Sequence, residues 1–401
     1  LDGQVLLAEH LKQLERVLLD CSEHGNLPHL QSRILSYGEI LSTTLGAAFL
    51  TERGLPARWC DSRELLTAKS SESKRNSARF YLGAQCDDEP DHELQERLSS
   101  MGPLCITQGF MVRTVTGETA LLGRGGSDTS AAYLSAKLEA QALEIWTDVP
   151  GMFTANPHLV SSARLIRNLA YDEAIAIAGT GAKVLHPLCI EPAKKNGILI
   201  FVKCTTNPEL PGTVIRAEDT GEESAFRLCA LTSRSGLLLL GTGMNNQDPM
   251  NVLTKMTEHM RNYDLQVDSF VANNHHIQTV IDPSLSPINS QEMSVFLNEL
   301  NMFSETEVTT NVSSLSLVGR GTDELYEGLG TAMTDLDCGR MRHMGSTGRM
   351  DVTMFLEHDG MDDLVSALHG RILEKEAPCD TFGPTWQELR TEVLAKEMSW
   401  A

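Results

Sequence analysis

Positive charge is scarce in this sequence. Thirty-three Lys and Arg stand against 54 Asp and Glu, a formal net charge of −21 over 401 residues. That surplus of acid argues against nucleic acid or an anionic membrane surface as partner. It also means that any phosphate site must place its few cations locally, because the overall field opposes an anionic ligand. No run of about 18 apolar residues occurs, so no transmembrane helix is expected. The nine cysteines (21, 60, 86, 105, 189, 204, 229, 338 and 379) are odd in number, scattered and free of any Cys-x-x-Cys pair. This speaks against a zinc site or a disulfide framework and for thiols in a reducing cytoplasm. No Ser-His-Asp or Cys-His pattern stands out, and no metal ligand set. The opening Leu-Asp-Gly-Gln-Val lacks an initiator Met and any signal- or transit-peptide layout.

What is present is an ordinary soluble composition, 41% hydrophobic and 22% charged, long enough for two or three domains. One stretch organises it. Thr119 to Leu122 reads as a short apolar strand, Gly123-Arg124-Gly125-Gly126 as a glycine-rich turn, and Ser127-Asp128-Thr129 as a helix start. Ala131, Leu134, Leu138 and Ala142 continue one helical face. Such a strand–loop–helix start holds phosphate or carboxylate, because free N–H groups and the helix dipole both favour negative charge.

Along the chain, Leu7, Leu11, Leu14 and Leu18 recur at helical spacing with no cap in front, so the sequence is expected to start inside a domain. A second helix spans about 32–53, and 56–61 reads as a strand. Residues 69–98 turn polar, read either as a mobile loop over a site or as a solvated loop without a role, followed by a surface helix. Strands at 104–106 and 143–146 deliver loops at their carboxyl ends, and strands alternating with helices indicate a mainly parallel α/β sheet with ligands there. A helix at 171–178 and a strand at 197–203 follow; 205–225 suits a linker. Two βαββα units then follow about 80 residues apart, reading as tandem ferredoxin-like modules.

The Gly123–Asp128 segment resembles the GRGGSD loop of aspartate kinases, of the amino-acid kinase family. Ser36-Tyr37-Gly38-Glu39, Ile106-Thr107-Gln108-Gly109-Phe110, Ile145-Trp146-Thr147-Asp148-Val149-Pro150-Gly151 and Gly181-Ala182-Lys183-Val184-Leu185-His186-Pro187 match the same family in the same order. The second half resembles its paired ACT regulatory domains. The resemblance implies an amino-acid kinase-like domain over 1–216, lacking its first strands, and a linker at 217–225. ACT domains at 226–305 and 306–376 and a tail or linker at 377–401 complete the division.

It implies transfer of the γ-phosphate of ATP, with Mg2+, to the β-carboxylate of L-aspartate, the first step toward lysine, threonine and methionine, in the cytoplasm. Arg124 would clamp the substrate α-carboxylate, with Glu39 and Asp128 facing the ammonium. Gly125, Gly126 and Ser127 would offer N–H groups, and Thr107 would shape the pocket; Phe110 serves equally as pocket wall or plain core. Thr147, Asp148, Phe153, His158, Gly181 and Val184 fall on the nucleotide side, with Lys183 near the phosphates; Arg124, Asp128 and Lys183 are the catalytic set. His186 looks structural. An amino-acid effector, lysine or threonine, is expected near Asn245, Asp268, Asn273 and Asn274, with a homodimer built by the ACT domains. A fused diaminopimelate decarboxylase or homoserine dehydrogenase is a further expectation.

Departures accompany the resemblance. The family's opening Lys-Phe-Gly-Gly-Thr segment is absent, so the chain is read as a fragment, or as a protein unable to catalyse unaided. Phe153, Asn156-Pro157 and His158 stand where a tyrosine, Asp-Pro and an arginine are usual, and Ala272-Asn273-Asn274 replaces a polar run in the effector region. The alternatives are a non-catalytic amino-acid-sensing regulatory protein and, less suited to the Ser36–Glu39 segment and two ACT-like units, another amino-acid kinase.

Overall fold

The structure is a computed structural model that describes residues 2–25, 27–69, 78–182, 184–217, 227–244, 248–263, 265–273, 275–286, 290–346, 350–373 and 381–391. Lys183, Asn245 and Asn274 lie outside them. The class is α/β. The chain divides into two compact units, one of Leu1–Ile145, Leu185–Phe201 and Ile215–Ala217, the other of Trp146–Val184, Val202–Val214 and Glu218–Ala401.

The first unit opens with α1 (Gly3–His24) and α2 (Pro28–Glu52). Contrary to the expectation from sequence, α1 is capped: the Asp2 carboxylate accepts from the Gln4 and Val5 amides at 3.1 and 3.3 Å. Pro28 sits in the first turn of α2, where its missing N–H costs nothing, so the helix starts before residue 32. Val17, Leu30, Tyr37 and Ile40 bury the facing sides of both helices against Met111 and Leu121. Strand β1 (Arg58–Cys60) precedes α3 (Ala78–Leu82), α4 (His92–Met101) and β2 (Cys105–Thr107). β1 and β2 pair in parallel, Cys60 opposite Thr107. A hairpin of β3 (Met111–Arg113) and β4 (Thr119–Leu121) leads into α5 (Gly126–Lys137).

Four further strands, β5 (Ala142–Thr147), β6 (Arg164–Ile166), β7 (Asn168–Ala170) and β8 (Leu199–Cys204), are interleaved with α6 (Tyr171–Gly179) and α7 (Pro187–Lys195). The segment read as a linker contributes β9 (Thr213–Arg216), and β5, β8, β9 and β7 lie side by side in that order.

In the second unit, β10 (Arg227–Gly243), α8 (Pro249–Asn262), β11 (Val267–Ala272), β12 (His276–Ile281) and α9 (Ser290–Phe303) form one βαββα run. A second follows in β13 (Thr306–Arg320), α10 (Thr322–Ala332), β14 (Arg340–Gly345), β15 (Asp351–Glu357) and α11 (Met361–Ile372). The two runs share one antiparallel sheet, ordered β11-β12-β10-β13-β15-β14. β10 and β13 are far longer than their apolar cores because each pairs with the other along most of its length. Val252, Met256 and Met260 recur every four residues on α8 and bury against Ile277, Phe296 and Leu300. Each such side chain contributes about 1.5–3 kcal/mol by leaving water. The segment after 376 differs from the linker expected there. β16 (Phe382–Thr385) pairs antiparallel with β6, and Trp386 sets its ring edge against Phe153 at 5.6 Å.

Candidate active site

In the first unit the glycine loop joins the end of β4 to α5. Gly123 and Gly125 take positive φ, +78° and +65°, which a side chain would resist. Gly125 is the N-cap of α5, and no side chain caps the helix. No side chain accepts from its first-turn N–H groups; the Gly126 amide donates back to the Gly123 carbonyl at 3.1 Å, which leaves those of Ser127 and Asp128 to suit an anion. A Cβ on Gly125 would overlap the Cβ of His186, and one on Gly126 would come 2.5 Å from Cδ2 of Phe110. One on Gly109 would come 2.8 Å from Ser127. Three Cβ-free approaches thus bring the Gln108–Phe110 turn, the glycine loop and the start of α7 together. The Ser130 hydroxyl, which donates to the Gly126 carbonyl, accepts from the Phe110 amide at 2.8 Å. It holds Phe110 at φ +69°, an uncommon setting for a non-glycine residue.

Arg124 is exposed, and no carboxylate among the described residues pairs with it. It lies near enough to His186 to act with burial in holding that imidazole below its usual pKa. His186 caps α7, accepting the Leu188 amide through Nδ1, the structural part expected of it. Asp128, in the first turn of α5, has its carboxyl pushed above the usual range by burial. An added positive charge beside it would favour the carboxylate. The Thr107 hydroxyl at the end of β2 is buried without a hydrogen-bond partner among the described residues. Such an orphan calls for a ligand or water acceptor. Glu39 is half-buried on α2 with no cation paired to it among the described residues.

Two residues without an assigned role tie these parts together. Gln108, buried, donates to the Thr43 hydroxyl at 2.9 Å and accepts the Ser62 amide at 2.8 Å. Thr43 in turn donates to the carbonyl of Glu39 at 2.7 Å and accepts from Trp59 at 3.1 Å. The β2 turn is thereby pinned to the helix turn that carries Glu39. The only signal for Gln108 in the sequence is its place between Thr107 and Phe110.

In the second unit, Thr147 ends β5 and donates to the Asp148 carboxylate at 3.0 Å; Asp148 is exposed. Phe153 is buried in the core, while exposed His158 stacks edge-on to Trp386 at 5.8 Å. The structure therefore places these two around Trp386 and buries the Phe153 ring. Gly181 (φ +127°) lies against Arg234: a Cβ there would come 2.5 Å from Cγ of that arginine. Val184 is half-buried.

Of the residues expected around an effector, Asn273 spends its side chain on the β11–β12 turn, accepting from the amides of His275 and His276. Asp268 is held by Arg234 at 2.5 Å. Among the described residues no group of three or more His, Cys, Asp or Glu could hold a metal ion, and no helix is long and apolar enough to cross a membrane.

The profile of the amino acid kinase family matches residues 6–204. The lysine-sensitive aspartokinase 3 of Escherichia coli K12 is 31% identical over 320 residues, covering 78% of this chain and 68% of that protein. The crystal structure of E. coli aspartokinase III with aspartate and ADP, in the R-state, superposes with a TM-score of 0.77 at 26% identity over 92% of this chain and 82% of that one. The T-state structure of E. coli aspartokinase III, with lysine and aspartate, gives 0.70 at 26% identity, covering 93% of this chain and 83% of that one.

Proposed function

Since the chain belongs to the aspartokinase family, we propose that it transfers the γ-phosphoryl group of ATP to the β-carboxylate of L-aspartate, giving 4-phospho-L-aspartate, under feedback control by an amino acid. The observation that carries this is the interlocked pair of turns, Gln108–Phe110 against Gly125–Ser127, with an α5 N-terminus that no side chain caps and Arg124 beside it. The acceptor needs no general base, because a carboxylate with pKa about 3.9 is already ionised at neutral pH. Alignment and charge neutralisation are the demands.

In this reading the Arg124 guanidinium takes the α-carboxylate bidentately. Asp128 and Glu39 face the ammonium, and the N–H groups of Gly125 and Ser127 hold carboxylate or phosphoryl oxygens; Gly126 serves by its lack of a side chain, since its own amide, contrary to the expectation from sequence, is spent on the Gly123 carbonyl. The Thr107 hydroxyl finds its partner on the substrate, and Phe110 closes the pocket. The β-carboxylate oxygen attacks the γ-phosphorus as the bond to the ADP oxygen breaks, with Lys183 offsetting charge on the phosphates and Thr147 and Asp148 beside the nucleotide. Mg2+ would come bound to the phosphates of ATP and would offset their charge. Residues 226–305 and 306–376 act as the paired ACT domains that bind the effector. Edge strand β11, with Val267, Phe270 and Val271 exposed, suits pairing with a second copy. We place the protein in the cytoplasm.

The test is trapping of the acyl phosphate by hydroxylamine, using protein expressed from its complete gene with aspartate, ATP and Mg2+. Hydroxamate formation that Arg124→Ala abolishes supports the assignment. Amino-acid binding without any turnover favours a non-catalytic sensor instead.

A further inference from the structure

The first unit also holds a polar cavity of about 190 Å³ whose lining includes no residue of the glycine loop. It opens between α1, α2, the end of β1 and the start of β4. On α2, Arg33, Ser36, Tyr37 and Ile40 line it, at the three- and four-residue spacing of a single helix face. Glu39, two residues past Tyr37, projects from a different face. His10 and Gln13 contribute from α1, and Asp61, Arg63 and Thr119 complete the polar lining.

Its charges and donors are unmatched. Arg63 donates Nε and Nη2 to the Asp61 carboxylate at 2.9 and 2.6 Å, and Nη1 to the Thr119 hydroxyl at 3.0 Å. The Arg33 guanidinium makes no hydrogen bond among the described residues; Asp20, 3.9 Å away, is an exposed carboxylate outside the lining. Two guanidiniums against one carboxylate leave +1 with His10 neutral, in a chain whose net charge is −21. Tyr37 is only 8% exposed, yet its hydroxyl has no hydrogen-bond partner among the described residues. Burial pushes its phenol up while the charges of Arg33 and Arg63 pull it down, so both guanidiniums bear on that hydroxyl. Gln13 gives one N–H to exposed Glu9 at 3.2 Å and keeps the other.

We propose that this cavity binds a free tetrahedral oxyanion, inorganic phosphate, at a site separate from the glycine loop. Arg33 supplies the charge, and the Tyr37 hydroxyl, the remaining Gln13 N–H and the unused N–H groups of Arg63 donate to its oxygens. Donors arriving from α1, α2 and the end of β1 suit the diverging oxygens of a tetrahedral ion better than the single edge of a planar carboxylate. The volume falls below the roughly 300–1,000 Å³ of pockets that take drug-sized ligands, so the ion enters alone and not as part of a nucleotide. Once bound, it ties α1 and α2 to the segment around Ser62, whose amide holds Gln108.

The test is calorimetric titration of the protein, expressed from its complete gene, with sodium phosphate, sodium acetate and glycerol 3-phosphate at constant ionic strength. It is repeated on Arg33→Gln, Tyr37→Phe and Arg124→Ala, with thermal melting to check that the variants fold. Phosphate is expected to bind the wild type more tightly than acetate or the ester. Arg33→Gln and Tyr37→Phe each remove a hydrogen bond to a charged group and are each expected to weaken phosphate binding by at least about tenfold. Arg124→Ala is expected to leave that affinity unchanged. Arg33 stands partly in water and Tyr37→Phe keeps its ring, so one informative variant remains if the other unfolds. Binding lost in Arg124→Ala but kept in the Arg33 and Tyr37 variants puts the ion on the glycine loop and overturns the proposal, as does a wild type that binds no phosphate. Acetate bound as tightly as phosphate overturns the tetrahedral preference, and glycerol 3-phosphate bound as tightly overturns the free ion.

Discussion

Gly126 meets Phe110 so closely that a methyl group on the glycine would lie 2.5 Å from the ring carbon Cδ2 and 3.1 Å from the phenylalanine Cα. Turning the ring aside would leave the contact with the Phe110 Cα, and the Phe110 backbone is tied to α5 by the bond from its amide to Ser130. Gly126→Ala must push the Gln108–Phe110 turn away from α5. Overpacking of this kind costs about 1–3 kcal/mol. Chemical denaturation should show that loss, and the KM for aspartate should rise. An unchanged midpoint and KM together would mean that the two turns separate freely.

Arg124→Lys keeps the charge but gives up the planar fork. If the guanidinium holds the substrate α-carboxylate through two bonds, one charged hydrogen bond is lost, worth about 1.5–3 kcal/mol. Steady-state kinetics should then show kcat/KM for aspartate falling by about ten- to a hundredfold, with the KM for ATP nearly constant. A matching rise in the KM for ATP would place Arg124 on the nucleotide instead.

Burial raises the Asp128 carboxyl above its ordinary value of 3.8. An acid whose pKa rises on folding stabilises the fold while protonated. That contribution is complete below the unfolded pKa and is lost as pH rises through the folded one. Substrate binding works in the opposite direction, since an ammonium beside Asp128 requires the carboxylate. The KM for aspartate should therefore climb as pH falls toward the folded pKa. Asp128→Asn should raise KM at neutral pH and flatten this dependence; a profile with the wild-type slope would assign the titration to another group.

Gln108→Leu replaces a buried amide by an apolar side chain of similar size. It strands the Ser62 amide and removes a donor from Thr43. Leaving a buried polar group unmet costs about 1–3 kcal/mol. The melting temperature should drop, and kcat/KM for aspartate should fall with it, because Thr43 also bonds the Glu39 carbonyl. Thr43→Val should reproduce part of the effect.

Local pattern made much of this fold legible. The helical spacing of Val252, Met256 and Met260, the βαββα repeat and the strand–turn–helix at Gly123–Asp128 all follow from periodicity and glycine placement. What escaped the sequence depends on partners distant along the chain. β10 extends back to Arg227 because β13 supplies hydrogen bonds there, and a local apolar pattern does not report them. Phe382–Thr385 contains Gly383 and Pro384 and does not look like a strand, yet the edge of β6 accepts it. Asp268 could be singled out by resemblance, but its partner Arg234 sits 34 residues upstream with no spacing rule to reveal it. Gln108 was visible only as the filler between two named residues.

The return of β16 to β6 has a consequence for biosynthesis. Arg164 donates to the Gly383 carbonyl across a separation of 219 residues, and Trp386 covers Phe153 from the same segment. Closing so long a loop is slow. As the chain leaves the ribosome from its N-terminal end, the apolar surface around Phe153 and Leu165 must wait for its cover until residues 382–386 have emerged. A nascent chain halted before residue 382 would present that surface to chaperones, and the stretch from Phe153 to Ile166 would become protease-resistant only after β16 has docked.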